Sequence, residues 1–288
     1  PELFCSRMGI RPTGGHGANL SIVSMDDPEH ARQRKIVSRG FTPSRISELM
    51  DHIREIARGL IDDVAARGEC DFVDDIAKPL PLIVIAELLG LPVEERRQLA
   101  EWSDQMMSAE GAEGDDDPRL VVAAEAFGGY VGLLMQLIDE RRANPRDDLI
   151  STVLSSADAG ELTFNEADPL GSDELLMFLV LLLVAGNETT RNGLSGGMAA
   201  LSEFPEQKAR LAADFSLVPS ATEEILRYVS PVISFSRTAT ADTELRGKQI
   251  REGDVVLNVY PSANRDEEVF DNPHEFRVDR DPNMHLAF

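Results

Sequence analysis

The sequence has 288 residues, with 28 Lys and Arg against 51 Asp and Glu and a formal net charge of −23 at pH 7. That acidity disfavours nucleic acid as a partner, because phosphate is repelled. A 42% apolar share with 27% charged residues excludes wholesale disorder, and the 2 cysteines, Cys5 and Cys70, make no disulfide framework and suit a reducing cytoplasm.

In chain order, the first patterned stretch is DDPEHARQRKIVSRGF, which sets His30 and Arg34 four residues apart on one helical face, with Arg32, Lys35 and Arg39 nearby. A basic cluster in so acidic a chain suits carboxylates, phosphates or an acidic partner, although a solvated basic face has the same pattern. From Ser44 the apolar residues Ile46, Leu49, Met50, Ile53, Ile56, Ala57, Leu60, Ile61 and Val64 step by threes and fours, which predicts an amphipathic helix stopped by Gly68. Further helices are predicted over 80–89, 94–108, 119–142 and 146–156, with Glu110–Asp117 and Asp158–Asp168 as solvated loops. The longest helix runs from Ser172 to about Phe204. Its apolar run, Leu175 to Ala185, is shorter than the ~20 residues that span a bilayer, and Asn187 and Glu188 follow directly. It reads as a core helix, and no membrane anchor is expected.

After Pro231 short β-like runs take over, VISFSRTAT, TELRG, KQI and DVVLNVY, broken by Gly247 and Gly253. The fold class is therefore mostly α with a small β portion, read as a single domain over 1–288. VISFSRT and DVVLNVY are expected to pair. The chain opens at Pro1 and ends at Phe288 without the look of natural termini, so it reads as a piece of a longer protein.

Four constellations carry chemistry. AGNETT, Ala185–Thr190, puts a carboxylate and two hydroxyls inside the longest apolar helix, where they are costly unless satisfied or used. Gly186 permits close approach to the backbone. Glu224 and Arg227 stand at i and i+3 on one helix face, an arrangement that by itself marks only an ordinary surface pair. The third is the basic cluster around His30 and Arg34. The fourth is the tail, with Arg237 in SFSRTAT, then Phe276, Arg280 and PNMHLAF ending at Phe288.

In order and spacing these pieces resemble the cytochrome P450 family of haem-thiolate monooxygenases, bacterial type, over essentially the whole chain. The family's A-G-x-[DE]-T-T segment is matched by Ala185–Thr190, its E-x-x-R helix by Glu224 and Arg227, and its F-x-x-x-R arginine by Arg280. Its H-x-x-x-R helix is matched by His30 and Arg34, and its strand arginine by Arg237. The resemblance implies the cytochrome P450 fold, truncated at both ends, and haem b as cofactor with O2 and electrons from a redox partner. It implies a cytoplasmic enzyme inserting one oxygen atom into an apolar substrate.

By the same resemblance His30, Arg34 and Arg237 pair with the haem propionates, Ala185 and Gly186 leave room beside the iron, and Phe288 packs beside the thiolate. Thr189 holds a water or hydroperoxide and Glu188 relays protons. Glu224, Arg227 and Arg280 form a buried charge network that holds the segment before the cysteine loop. Val232 and Ile233 line the substrate pocket, and Arg32, Lys35 and Arg39 face a ferredoxin-type partner. GIRPTGGHGANLSIVSMDDPEH, AGNETTRN and SANRDEEVF look like the actinobacterial branch that hydroxylates terminal carbons of sterol side chains or branched fatty acids.

One departure stands out. The signature F-x-x-G-x-x-x-C-x-G would begin at Phe288, so the metal-ligating cysteine falls seven residues past the end, and neither Cys5 nor Cys70 has the right context. A cysteine-less relic acting as a helical binding or scaffold module is therefore the alternative. It has no need of the relay and propionate residues that are present. A helical lyase built on Asp115, Asp116 and Asp117 is a weaker rival, since Gly111, Gly114 and Pro118 mark that stretch as a loop.

Overall fold

The structure is a computed structural model describing residues 2–11, 22–109, 112–114, 116–158 and 172–287. Its contacts divide into two compact units, one of residues 19–188 and one of residues 1–18 with 189–288.

The 19–188 unit is helical: α1 Glu29–Gly40, α2 Pro43–Ala65, α3 Pro79–Leu88, α4 Arg96–Ser108, α5 Pro118–Ala143, α6 Leu149–Asp158 and the first part of α7, Ser172–Glu203. Local chemistry explains the ends. α3 carries Pro79 and Pro81 in its first turn, where backbone N–H groups have no helical acceptor. It stops at Gly90, with φ +66°, whose N–H bonds to Glu87 O at 2.9 Å while Leu91 N–H bonds to Ala86 O at 2.8 Å. That pair satisfies two terminal carbonyls as a Schellman motif. α5 starts at Asp117, whose carboxylate accepts from Arg119 N–H at 2.9 Å, with Pro118 following.

The core of this unit joins Leu82, Ile85 and Leu89 of α3 to Leu99 of α4, Tyr130 and Leu134 of α5, Ile150 of α6, and Leu175, Leu179 and Leu183 of α7. Each such side chain contributes about 1.5–3 kcal/mol on burial. By length and composition α5 is long and apolar enough to cross a membrane, which the sequence reading passed over. Here it buries Tyr130, Leu134, Leu137 and Ile138 in the core cluster and is used as a core helix.

Two differences from expectation stand out. The apolar stripe of α2 is only partly covered, with Ile46 41%, Met50 45% and Ile61 53% exposed. Periodicity marks an apolar face but does not say what packs on it. Val73–Ala77 forms a π-helical turn, with Lys78 N–H bonding to Val73 O at 2.9 Å, and apolar spacing carries no sign of it. Most of the expected loop 158–168, and Asp115 of the acidic run, lie outside the described residues.

The second unit holds the rest of α7, then α8 Pro205–Ala213, α9 Val218–Val229 and α10 Tyr260–Ala263. Its strands are β1 Phe4–Cys5, β2 Ser234–Ala239, β3 Thr243–Leu245, β4 Lys248–Ile250 and β5 Val255–Val259. β2 pairs antiparallel with β5, Arg237 opposite Val256, and β1 adds to the other side of β2, Cys5 opposite Thr238. β3 and β4 form a hairpin turned by Arg246 and Gly247 at φ 47° and 78°, the left-handed pair that a two-residue turn requires.

α7 and α9 approach closely because α7 is small-sided there. A Cβ on Gly196 would lie 2.5 Å from Val229 Cγ1, and one on Gly197 2.9 Å from Ile225 Cγ2. Tyr228 meets Phe204 and Phe276 edge-to-face, with ring centroids 5.8 and 5.4 Å apart, and Phe204 and Phe276 lie tilted at 37°.

Candidate functional site

The most ordered chemistry lies in the second unit, on α9. Glu224 and Arg227 are both 0% exposed. Arg227 donates from Nε to Glu224 Oε2 at 2.7 Å and from Nη2 to Oε1 at 2.9 Å, a bidentate pair. Arg280 joins from the tail, its Nε 3.0 Å from Glu224 Oε2. The remaining guanidinium donors go to main-chain carbonyls: Arg227 to Asn264, Pro273 and Glu275, Arg280 to Asp271, Asn272 and Glu275. Arg277 N–H at 2.9 Å and Asn283 Nδ2 at 3.2 Å also bond to Glu224. One acid and two arginines thus fix the path of 264–283, a stretch with little regular secondary structure. What looked like an ordinary i,i+3 surface pair is an interior anchor.

AGNETT lies within α7, which runs unbroken through it. Asn187 is 1% exposed and donates from Nδ2 to Ser103 Oγ on α4 at 2.9 Å. A Cβ on Gly186 would meet Ile85 Cδ1 of α3 at 3.1 Å, so this glycine sets α7 against α3. Ala185, on the opposite side from buried Leu183 and Asn187, is exposed in mid-helix, and Thr189 follows one turn on, half-buried. Glu188 is half-buried and has bonded partners, as does Thr189. The helix therefore presents a small apolar residue, a hydroxyl and an adjacent carboxylate together, a set able to bind an apolar edge and to pass a proton.

The cations lie on two elements. His30 and Arg34 stand one turn apart on α1, His30 half-buried with Nδ1 3.5 Å from Asp27 Oδ1, Arg34 exposed. Arg32 is half-buried and Lys35 exposed, while the side chain of Arg39 lies outside the described residues. Arg237 is half-buried on β2 and donates from Nη1 to Ser236 O at 2.8 Å. Arg34 in one unit and Arg237 in the other each carry a guanidinium fork, which by its chemistry fits a carboxylate such as a haem propionate. Val232, half-buried, and Ile233, 68% exposed, precede β2. Phe288 lies outside the described residues.

The cysteines do not enter this chemistry. Cys5 pairs with Thr238 and so shares its face of the sheet, the face away from Arg237, and is 3% exposed. Cys70 is exposed after α2. Among the described residues no group of three or more His, Cys, Asp or Glu could hold a metal ion.

Sequence reasoning missed Asn187, Ser103 and Asn264. Asn264, 0% exposed, donates to Ser230 Oγ at 2.9 Å and accepts Leu286 N–H at 2.7 Å. Asn264 stood inside the quoted SANRDEEVF, but nothing local signals that it is buried. A second missed pair is Arg141 and Asp148, both buried, joined Nε to carboxylate, with Arg141 Nη2 also 2.9 Å from Gly90 O. Burial pushes the Asp148 carboxyl up, but hydrogen bonds from Arg141 and from Ser151 outweigh it, and the net shift is downward.

A family model described as Cytochrome P450 matches residues 121–281. The chain is 41% identical over 288 residues to a steroid C26-monooxygenase of Mycolicibacterium smegmatis, covering 100% of this chain and 69% of that protein. It is similar in structure to the cytochrome P450 CYP268A2 of Mycobacterium marinum in complex with pseudoionone, with TM-score 0.86 and 36% identity over 100% of this chain and 69% of that one. It is also similar to CYP109E1 of Bacillus megaterium in complex with testosterone, with TM-score 0.83 and 35% identity over 93% of this chain and 69% of that one.

Proposed function

The chain belongs to the cytochrome P450 family, a family of enzymes, and on that premise we propose that the protein hydroxylates the terminal carbon of an apolar side chain on a steroid or a related branched lipid. The observation that carries the reading is exposed Ala185 with half-buried Thr189 one turn on along α7 and Glu188 beside it, in a chain 41% identical to a steroid C26-monooxygenase. The relic alternative is not favoured: a scaffold has no use for a half-buried carboxylate beside a hydroxyl in the middle of a core helix.

When bound, haem with a thiolate ligand supplies oxygen activation and O–O cleavage. The chain's own residues do the rest. His30, Arg34 and Arg237 bind the carboxylates that hold the cofactor, Arg by its planar fork. The apolar residues of α7 exclude water. The Thr189 hydroxyl both accepts and donates a hydrogen bond, so it orients a proton donor at the reacting oxygen, and Glu188 returns the proton from solvent. Val232 and Ile233 present apolar surface to the substrate. The exposed Lys35, with Arg32 beside it, meets an acidic ferredoxin-type partner; charge reversal at both should slow electron transfer, most strongly at low salt.

The reduced, carbon monoxide-bound absorbance spectrum tests the reading. A chain continued past Phe288 through the expected cysteine gives a thiolate-type Soret band, and the 288-residue chain does not. In the continued chain Thr189→Ala keeps that band and substrate binding while product per electron falls by about 10²-fold. Absence of the band from the continued chain, or unchanged coupling in Thr189→Ala, contradicts the reading.

A further inference from the structure

Residues 281–287 lie in no helix or strand, so their path depends on side-chain hydrogen bonds. Apolar burial holds little of this stretch: Met284 is 74% and Leu286 55% exposed, and Ala287 alone of the apolar residues is buried, at 4%. The polar contacts run in order along it. Arg280 and Asn283 bond to Glu224, His285 Nε2 lies 2.8 Å from Glu223 Oε2, and Leu286 N–H bonds to Asn264 Oδ1 at 2.7 Å. Ala287 N–H then bonds back to His285 Nδ1 at 3.2 Å.

The two bonds of His285 define its state. Nδ1 accepts a backbone N–H and so carries no proton; Nε2 carries it and donates to the Glu223 carboxylate. The His285 side chain is 8% exposed and Glu223 57%. Consecutive acids on α9 therefore grip consecutive parts of the tail, Glu224 inside and Glu223 at the surface.

We infer that Glu223 and His285 form a latch that sets the direction in which the chain leaves Ala287, and that His285 is thereby a positioning residue for the axial thiolate. The inference rests on the haem-thiolate reading above, in which the cysteine follows within a few residues. A ligand on a short loop inherits the angular error of its anchor, and no regular structure lies between Arg280 and Ala287 to correct it. Imidazole holds an acceptor and a donor on opposite sides of one rigid ring, which suits both bonds. Asn at 285 keeps an acceptor for Ala287 N–H but is too short to reach Glu223, and Phe fills the space with neither bond.

The test uses the complete haem-loaded protein and reads two quantities. One is the rate at which the thiolate-type carbon monoxide band converts to the thiol type in mild urea. The other is the ring nitrogen shifts of labelled His285. His285→Phe, which loses both bonds, is expected to convert about tenfold faster. His285→Asn falls between it and wild type, Glu223→Ala speeds conversion, and Glu223→Gln, whose amide oxygen accepts without the charge, falls between Glu223→Ala and wild type. Should His285→Phe fail to take up haem, Glu223→Ala, altered at the surface, decides. Unchanged conversion in Glu223→Ala, or a protonated Nδ1 in wild type, overturns the latch. A wild-type protein with no thiolate band at all overturns the haem-thiolate reading itself, and the latch with it.

Discussion

At the scale of single residues, Glu224 shows how a carboxylate becomes irreplaceable. It receives both arginines, a backbone N–H and an amide, while the arginines spend their remaining donors on carbonyls of the tail. Glu224→Gln leaves two buried guanidiniums facing a neutral group, and we expect about 3–5 kcal/mol of destabilisation in urea unfolding. Asp148 acts by the same logic beside Arg141. Its folded pKa is depressed, so its contribution is present in full above the ordinary carboxylate value of about 4 and is lost as pH falls from there through the folded pKa. Asp148→Asn should flatten the acid limb of a stability–pH curve, and an unchanged limb would contradict the pairing. The Glu224–Arg227 spacing was legible in the sequence. Their burial was implied only by the family resemblance and not by that spacing, because solvation depends on what the tail does some fifty residues later.

Among elements, the glycines of two helices are expected to respond in opposite directions. Gly132, exposed on α5, has nothing within 4 Å of a Cβ position, so Gly132→Ala removes only backbone freedom and should stabilise by about 0.5–1 kcal/mol. Gly196→Ala drives a methyl into Val229 and should cost about 1–3 kcal/mol as α7 and α9 are forced apart. Thermal melts of the two variants bracketing wild type would establish the contrast. Among the described residues β5 lies at the edge of its sheet, and its Val255, Leu257 and Val259 are 47%, 44% and 40% exposed. Such an edge pairs readily with another chain. Leu257→Lys should therefore lower aggregation at high protein concentration, measured by light scattering, with no loss of melting temperature.

For the molecule as a whole, charge dominates. A formal −23 on 288 residues repels itself, and the ion pairs described are few against that excess. Raising salt from about 0.01 to 0.15 M shortens the screening length from about 30 to 8 Å and should raise the melting temperature. A flat or falling response would show that local ion pairs outweigh the net repulsion.

The sequence by itself determined the helical class, the order of the motifs and the pairing of VISFSRT with DVVLNVY, observed as β2 with β5. Those follow from periodicity, caps and turn residues, which act within a few positions of one another. Thr189, Glu188, Glu224 and Arg280 were singled out through the family resemblance, since spacing alone gave Arg280 no task. Only the tertiary structure decided which polar groups are buried. Asn187 meets Ser103, Asn264 meets Leu286 and Arg141 meets Gly90 across separations from 22 to 84 residues, and no local pattern encodes such a meeting. Desolvation belongs to the packed interior, so whether a carboxylate is an ornament of the surface or the anchor of a fold is settled where distant segments close around it.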